Sequence, residues 1–502
     1  MIGGLRGTAS QLAIAAVFFV MGAVVLIQKP AKAADLGGDC CADLEERVAE
    51  LEATTVRKGN KKVSVTLYGK VNYATLFWDD GAEQNTYTVN NNMESTRFGF
   101  KGTAKINEDW SAGYRMELEF RTALSSRLNQ FDDNNQNDPL GNIAVRWDQI
   151  FLASKKMGEV RLGLTATPKY DITKDTMEYI STEKGEGGGL SDTLVPDFRM
   201  NDNFRLREKG FDNAEGLAGA NGGQGLAWSN IARCYSAGDQ FNCSTRRNGV
   251  AYWSPNWQGF SVSVGEFEDD DWGAALRYKN TTWADTWLFA ASAAYENLRD
   301  ERLQNGGGGL AGFQRNFDEW AGSAAIKHKP TGLFLMGVWS VSESDDTNVR
   351  GAFNGQGAPQ MTAWDVQGGI QRKFSFLGLD TLGETALWGG FSNVKDGFAP
   401  GSSGTSGGNA VVGPGSSLST APTMLLPANT FPSIPFTTQI ASSDVNTWFF
   451  AADQQLDNAA MHLYAVYEHF EADINVIDVN RERVPLSLDN FDLFYAGARL
   501  YF

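Results

Sequence analysis

Two adjacent stretches decide what this chain can fold into. In "TRFGFKGTAKI", residues 96–106, Phe98, Phe100, Ala104 and Ile106 fall on one side of an extended strand. Arg97, Lys101, Thr103 and Lys105 fall on the other. After the turn "NED", "WSAGYRMELEF" sets Trp110, Ala112, Tyr114, Met116, Leu118 and Phe120 against Arg115, Glu117 and Glu119. Charges on the inward sides of consecutive strands cannot line a dry core. Such a sheet has water on one face and an apolar medium on the other.

The pattern recurs along the chain. "VSVTLYGKVNYATLF", residues 63–77, puts Val63, Val65, Leu67, Gly69, Val71 and Tyr73 outward and Ser64, Thr66, Tyr68, Lys70 and Asn72 inward. Counting on in this way gives sixteen strands, the last at 491–502, where Phe494, Ala496, Ala498, Leu500 and Phe502 share one face. Brief turns alternate with mostly longer links, as in outer-membrane barrels with short periplasmic turns and long external loops. After Ile27 no stretch approaches the ~18–20 consecutive apolar residues of a membrane helix. The expected fold is therefore all-β: a transmembrane, antiparallel, up-and-down β-barrel of 16 strands over residues 63–502, preceded by a short helical segment. Eighteen strands remain open, because residues 166–247 are long enough to hide a further hairpin within "PDFRMNDNFRLREKGFDN".

The first 33 residues read as an export signal: Arg6, an apolar run from Leu12 to Ile27, then Ala31-Lys32-Ala33 as a small-x-small cleavage site. An uncleaved anchor helix is the other reading. In residues 34–62, Cys41, Leu44, Val48 and Leu51 recur at helical spacing, which suits about two heptads of a periplasmic oligomerisation helix or a solvated linker. Loss of Arg6, Lys29 and Lys32 with the signal, and of no acidic residue, takes the net charge from −17 to −20. That acidity disfavours nucleic acid as a partner and suggests a mild preference for cations. Cys234 and Cys243 bracket a short polar segment, and in an exported chain they are expected to form a disulfide, with two free thiols as the alternative.

No enzymatic chemistry is legible. The glycine runs at 187–189 and 306–309 lack the Lys-Ser/Thr of a phosphate loop, and no serine sits in a Gly-x-Ser-x-Gly elbow with a plausible partner order. His462 and His469 lie on opposite faces of one strand. "FDDNNQND" and "EDDDW" are acidic but read as solvated loops rather than calcium sites. No metal site and no cofactor is expected. The stretch 401–443, rich in Gly, Ser, Pro and Thr, reads as an external loop.

Four motifs, "VTLYGKV", "TRFGFKG", "RRNGVAYWSPNWQGF" at 246–260 and the terminal "YAGARLYF", together with the strand count, resemble a general diffusion porin of Gram-negative outer membranes, nearest to the alphaproteobacterial type. The resemblance runs over essentially all of 63–502. It implies a bacterial outer-membrane location and a homotrimer of water-filled channels for ions and small hydrophilic solutes. The implied surroundings are outer-membrane lipids and lipopolysaccharide, and the barrel-assembly machinery would read Phe502 as a terminal signal. It also implies that the loop at about 166–247 folds inward and narrows the pore. Its acidic residues Asp171, Asp175 and Glu178, spaced i, i+4 and i+7 behind Pro168, would then look across at basic Lys70, Arg97 and Arg115. Arg146 and Arg161 are candidate additions of unsure direction, and the acidic face could equally be that of a solvated surface helix. The competing reading of the whole chain is a secreted or surface all-β binding protein of adhesin-like character.

Overall fold

The computed structural model describes residues 62–130, 143–170, 172–181, 204–210, 227–228, 231–232, 246–280, 285–299, 317–344, 360–374, 379, 382–397, 425–426, 438–477 and 482–502. The expected export signal and heptad segment, with Asp171, Cys234 and Cys243, lie outside them. The strands are β1 (Thr66–Asp79), β2 (Gln84–Asn90), β3 (Arg97–Lys105), β4 (Trp110–Phe120), β5 (Ile143–Ser154), β6 (Gly158–Ala166), β7 (Arg246–Trp253), β8 (Phe260–Phe267), β9 (Trp272–Lys279) and β10 (Trp287–Leu298). They continue as β11 (Phe317–His328), β12 (Leu333–Ser344), β13 (Met361–Arg372), β14 (Thr385–Lys395), β15 (Leu425–Leu426), β16 (Thr438–Leu456), β17 (Met461–Ile477), β18 (Arg483–Ser487) and β19 (Phe491–Tyr501). Among the described residues one α-helix, α1 (Ile172–Ser181), follows β6.

Every ladder is antiparallel, and the circuit closes where β19 pairs with β1, from Lys70↔Tyr501 to Asp79↔Asp492. The short pieces β15 and β18 only extend β16 and β17. β2 and β3 share one position in the wall, since β2 pairs with the upper half of β1 and β3 with its lower half. Sixteen staves therefore make the barrel. β6 pairs directly with β7 from Glu159↔Trp253 to Ala166↔Arg246, which leaves no place for an inserted hairpin and removes the 18-strand alternative.

All sixteen expected strands are present, and their parity holds. Leu67, Val71, Leu335, Trp364, Leu387 and Phe450 are exposed on the outside, while Asn72, Gln367 and Arg499 are buried on the inside. An apolar exterior belt of this kind needs hydrocarbon around it, and a secreted soluble binding protein would not carry it. Among the described residues no helix is long and apolar enough to cross a membrane, a point that does not bear on strands.

Two features differ from the sequence expectation. Residues 84–90, read as part of a long link, form β2 behind a tight turn in which Asp80 Oδ1 accepts from the amides of Ala82 and Glu83. Its polar sequence "QNTYTVN" conceals it, because Tyr87 and Val89 point inward. Second, the inner face is apolar in places: Ala74, Leu76 and Trp78 of β1 join a buried cluster with Phe204, Trp228, Phe470 and Phe491. The physical reason is that segments of the long loop cover them, so inward no longer means wet.

Candidate channel constriction

The loop after β6 opens with Pro168, which pre-sets the backbone for a helix, and α1 follows. Ile172, Thr176, Met177 and Ile180 are buried, whereas Asp175, Glu178 and Tyr179 are only partly so. The buried side lies on the inner faces of β10 and β11. Here Thr176 Oγ1 and Ser323 Oγ stand 2.6 Å apart, and Ser323 Oγ donates to Ile172 O at 2.8 Å. The anchoring is also ionic. Lys169, fully buried, reaches Glu319 Oε2 at 2.7 Å and Glu296 Oε2 at 3.5 Å. Those two carboxylates sit directly opposite each other on β10 and β11, an arrangement that would repel without a cation between them. Arg277 of β9 donates to Pro168 O at 2.6 Å and to Asp175 Oδ2 at 2.8 Å.

A second charged field lies on β1, β3, β4 and β5. Lys70 Nζ meets Glu94 Oε2 at 2.7 Å, and Arg97 binds the same oxygen while reaching Glu117 Oε1 at 3.6 Å. Arg115 Nη2 contacts Glu117 Oε2 at 2.9 Å and its Nε donates to Tyr68 OH at 2.8 Å. Arg146 spans Glu117 at 3.0 Å and Glu119 at 2.7 Å. It points inward because a bulge pairs Glu117 with Trp147 and Leu118 with Val145, leaving Arg146 as the extra residue. That bulge is why alternation around "AVRWDQIF" gave no clear direction. Glu94 arrives through residues 91–96, which leave the wall between β2 and β3 and carry a short 3-10 turn, Asn92–Glu94, capped by Asn91. The Arg115 guanidinium lies 4.2 Å from the centre of the Trp147 ring, a contact that holds it flat against the wall.

These observations, a closed sixteen-stave barrel with an apolar exterior, a charged lumen and a loop helix seated inside, are joined by a sequence comparison. The family model described as Gram-negative porin matches residues 31–475. The chain belongs to the Gram-negative porin family. This places the porin in the bacterial outer membrane, as a channel for small solutes. No curated protein sequence matches it. Among solved structures the porin is similar to an anion-selective porin from Comamonas acidovorans, at 14% identity and a TM-score of 0.48, over 88% of this chain and 100% of that one. It is also similar to OmpT of Vibrio cholerae in its trimer form, at 13% and 0.45, over 88% and 100%. A third is OmpF of Salmonella typhi in complex with daunomycin, at 14% and 0.43, over 89% and 99%.

In this porin, then, Lys70, Arg97 and Arg115 stand together, linked through Glu94 and Glu117. Asp175 is bound by Arg277 on the wall that carries α1, and Glu178 is on the same helix. Arg161, lower on β6, pairs with Glu159 and lies 3.9 Å from the centre of the Trp253 ring. Phe502 closes the last strand, exchanging backbone hydrogen bonds with Gly69 at 2.9 and 3.1 Å. Sequence reasoning did not single out Glu94, Lys169, Arg277, Glu296 or Glu319. The inward parity of Glu296 and Glu319 on neighbouring strands was the available signal, since two facing carboxylates require a partner. Among the described residues no group of His, Cys, Asp and Glu could hold a metal ion.

The far part of the long loop seats elsewhere. Phe204 packs on Trp78 and Phe491 with ring centres 5.4 and 5.1 Å away, and Trp228 on Phe470 at 5.7 Å. Arg207 pairs with Asp80 at 2.8 Å, and its carbonyl accepts from Asp489 N at 2.9 Å. Burial in this region pushes the Arg205 guanidinium down to about 10. Residues 204–210 thus line the wall of β1, β2 and β19 and bond to β18 through Lys209 N and Ser487 O, without entering the barrel circuit.

Proposed function

We propose that this porin is a passive, homotrimeric diffusion channel whose passage is narrowed by the loop of residues 166–247. Ions and small hydrophilic solutes cross it down their gradients. The observation that carries the reading is the double attachment of that loop: α1 sits on the inner faces of β10 and β11, and residues 204–232 include segments seated on β1 and β17. A loop held at two separate places on the inner wall takes space from the lumen.

The charges that act on a solute are, in this reading, Lys70, Arg97 and Arg115 on one side and Asp171, Asp175 and Glu178 on the other. Fixed charges beside a narrow aqueous opening set ion preference and orient dipolar solutes. Partial internal neutralisation, of Arg97 by Glu94 and of Asp175 by Arg277, moderates that field without cancelling it. Phe502 serves as the assembly signal, and the heptads of residues 34–62 support the trimer. Conductance of the purified protein in a planar bilayer tests the reading: discrete, water-filled channel steps are expected, and a chain that inserts as a barrel yet passes no current would refute it.

A further inference from the structure

The inner wall carries a polar row far from α1 and from the basic cluster. Alternation along β13, β14 and β16 turns Asp365, Ser392 and Thr447 inward, and the ladders set them side by side, Asp365 opposite Ser392 and Ser392 opposite Thr447. Gln367, two residues along β13, faces the same way. All four are buried, with exposures of 0% for Asp365, Ser392 and Thr447 and 1% for Gln367. The frame around them is apolar. Val338 stands opposite Asp365 at one end and Phe470 opposite Thr447 at the other, while Val394, Val445 and Phe449 lie one inward position along the strands.

The oxygens of this row lack partners. Gln367 Nε2 donates to Asp365 Oδ2 at 2.7 Å, which fixes the amide and turns its carbonyl oxygen away from the carboxylate. Among the described residues Asp365 Oδ1, Gln367 Oε1, Ser392 Oγ and Thr447 Oγ1 have no hydrogen-bond partner, and no basic side chain pairs with Asp365. Neighbouring strands run ~4.8 Å apart, so a hydroxyl beside a carboxylate in one row would ordinarily donate to it. Here none of the three side chains in the row meets another. An ionised carboxylate buried among apolar groups is costly unless it is paired. What the row lacks is a positive charge.

We infer that Asp365, Gln367, Ser392 and Thr447 form a binding site for one monovalent metal cation, sodium or potassium, on the inner wall of β13, β14 and β16. The donor set is one carboxylate, one amide carbonyl and two hydroxyls. These are hard oxygens, without the imidazole or thiolate of a transition-metal centre and without the several carboxylates that balance a divalent ion. One negative charge is met by one positive charge. The place in the fold gives the ion its role. Thr447 adjoins Phe470, on which Trp228 packs at 5.7 Å, and Ser443 Oγ of β16 donates to Ile231 O at 3.1 Å. The cation thus neutralises the wall beside the far attachment of the long loop and stabilises the folded barrel there. This holds whichever solutes cross the channel.

The test uses the full-length porin, purified in detergent and freed of alkali cations. The midpoint of thermal unfolding is followed in sodium, potassium and N-methyl-D-glucamine chlorides at equal ionic strength, for the parent and for Asp365→Asn, Ser392→Ala and Thr447→Val. In the parent the midpoint should rise by several degrees with the concentration of sodium or of potassium, the stronger response naming the ion, because a ligand held only by the folded state stabilises it. It should stay flat in N-methyl-D-glucamine, whose cation is too large for the row. Asp365→Asn should abolish the rise, and each hydroxyl variant should need several-fold more cation to reach it. Equal midpoints in all three salts would overturn the site. So would a rise that survives Asp365→Asn, or one that both hydroxyl variants leave unchanged, since the cation would then bind elsewhere. Should Asp365→Asn fail to fold, the hydroxyl variants decide alone. Channel steps in a planar bilayer from a parent whose midpoint ignores the salt would sink the cation site and leave the diffusion reading standing.

Discussion

The ring of Phe502 occupies the space above Gly69 that any side chain on that residue would fill: a Cβ built there falls 2.5 Å from Phe502 Cζ. The two residues also exchange backbone hydrogen bonds across the closing seam. The terminal aromatic and the glycine of the first strand are thus two halves of one contact, an aromatic ring covering the gap a glycine leaves in a sheet.

The first prediction concerns this seam. Phe502→Asp puts a charge at the outward end of β19, and Gly69→Leu expels the ring. Both variants are expected to lower the yield of the heat-modifiable, folded form in the outer membrane, Phe502→Asp more severely. Normal yield of folded oligomer from Phe502→Asp would dispose of the role of the terminal aromatic.

The charged lumen gives the second. Debye screening is only ~8 Å at physiological salt, so charges at the narrowest point act on ions beside them. Neutralising Asp171, Asp175 and Glu178 together, as Asn, Asn and Gln, should shift the reversal potential in a salt gradient toward anion preference. Neutralising Lys70, Arg97 and Arg115 as Gln should shift it the other way, by less than three full charges imply, because Glu94 and Glu117 already oppose them. If both triple variants keep the parent's reversal potential at low salt, these residues do not border the passage.

Lys169 supplies the third. Removing one partner from a buried ion pair costs about 3–5 kcal/mol, most of it from the charge left behind. Lys169→Met leaves Glu296 and Glu319 facing each other, so thermal unfolding should occur at lower temperature and the open-channel current should become noisier. Adding Glu296→Gln and Glu319→Gln should recover much of both. An unchanged melting temperature and a quiet current in the single variant would show that this cluster does not hold the loop.

A fourth follows from export and spacing. Cys234 and Cys243 are expected to be joined, and mass spectrometry of non-reduced peptides should recover them as one linked species. Recovery of two free thiols would remove the pairing.

The fifth concerns the segment before the barrel. Deleting residues 41–55 should lower the temperature at which the oligomer dissociates while leaving single-channel conductance in place. An unchanged dissociation temperature would refute the heptad reading.

The sequence alone determined the sixteen strands, their inward and outward faces and the alternation of short and long connections. Side-chain alternation is a property of each strand taken singly, and water on one side with lipid on the other writes it plainly in residue order. The inward positions of Lys70, Arg97 and Arg115 were legible for the same reason. Only the tertiary structure decided which charges meet. Glu94 reaches Lys70 and Arg97 because residues 91–96 leave the wall, Arg146 turns inward because of a bulge, and Asp175 falls to Arg277 because α1 lands on β10 and β11. β2 escaped notice because its apolar residues point into the lumen, and they do so because Phe204, far along the chain, covers them. A pairing between residues over a hundred positions apart depends on where a loop comes to rest, and no local period records that.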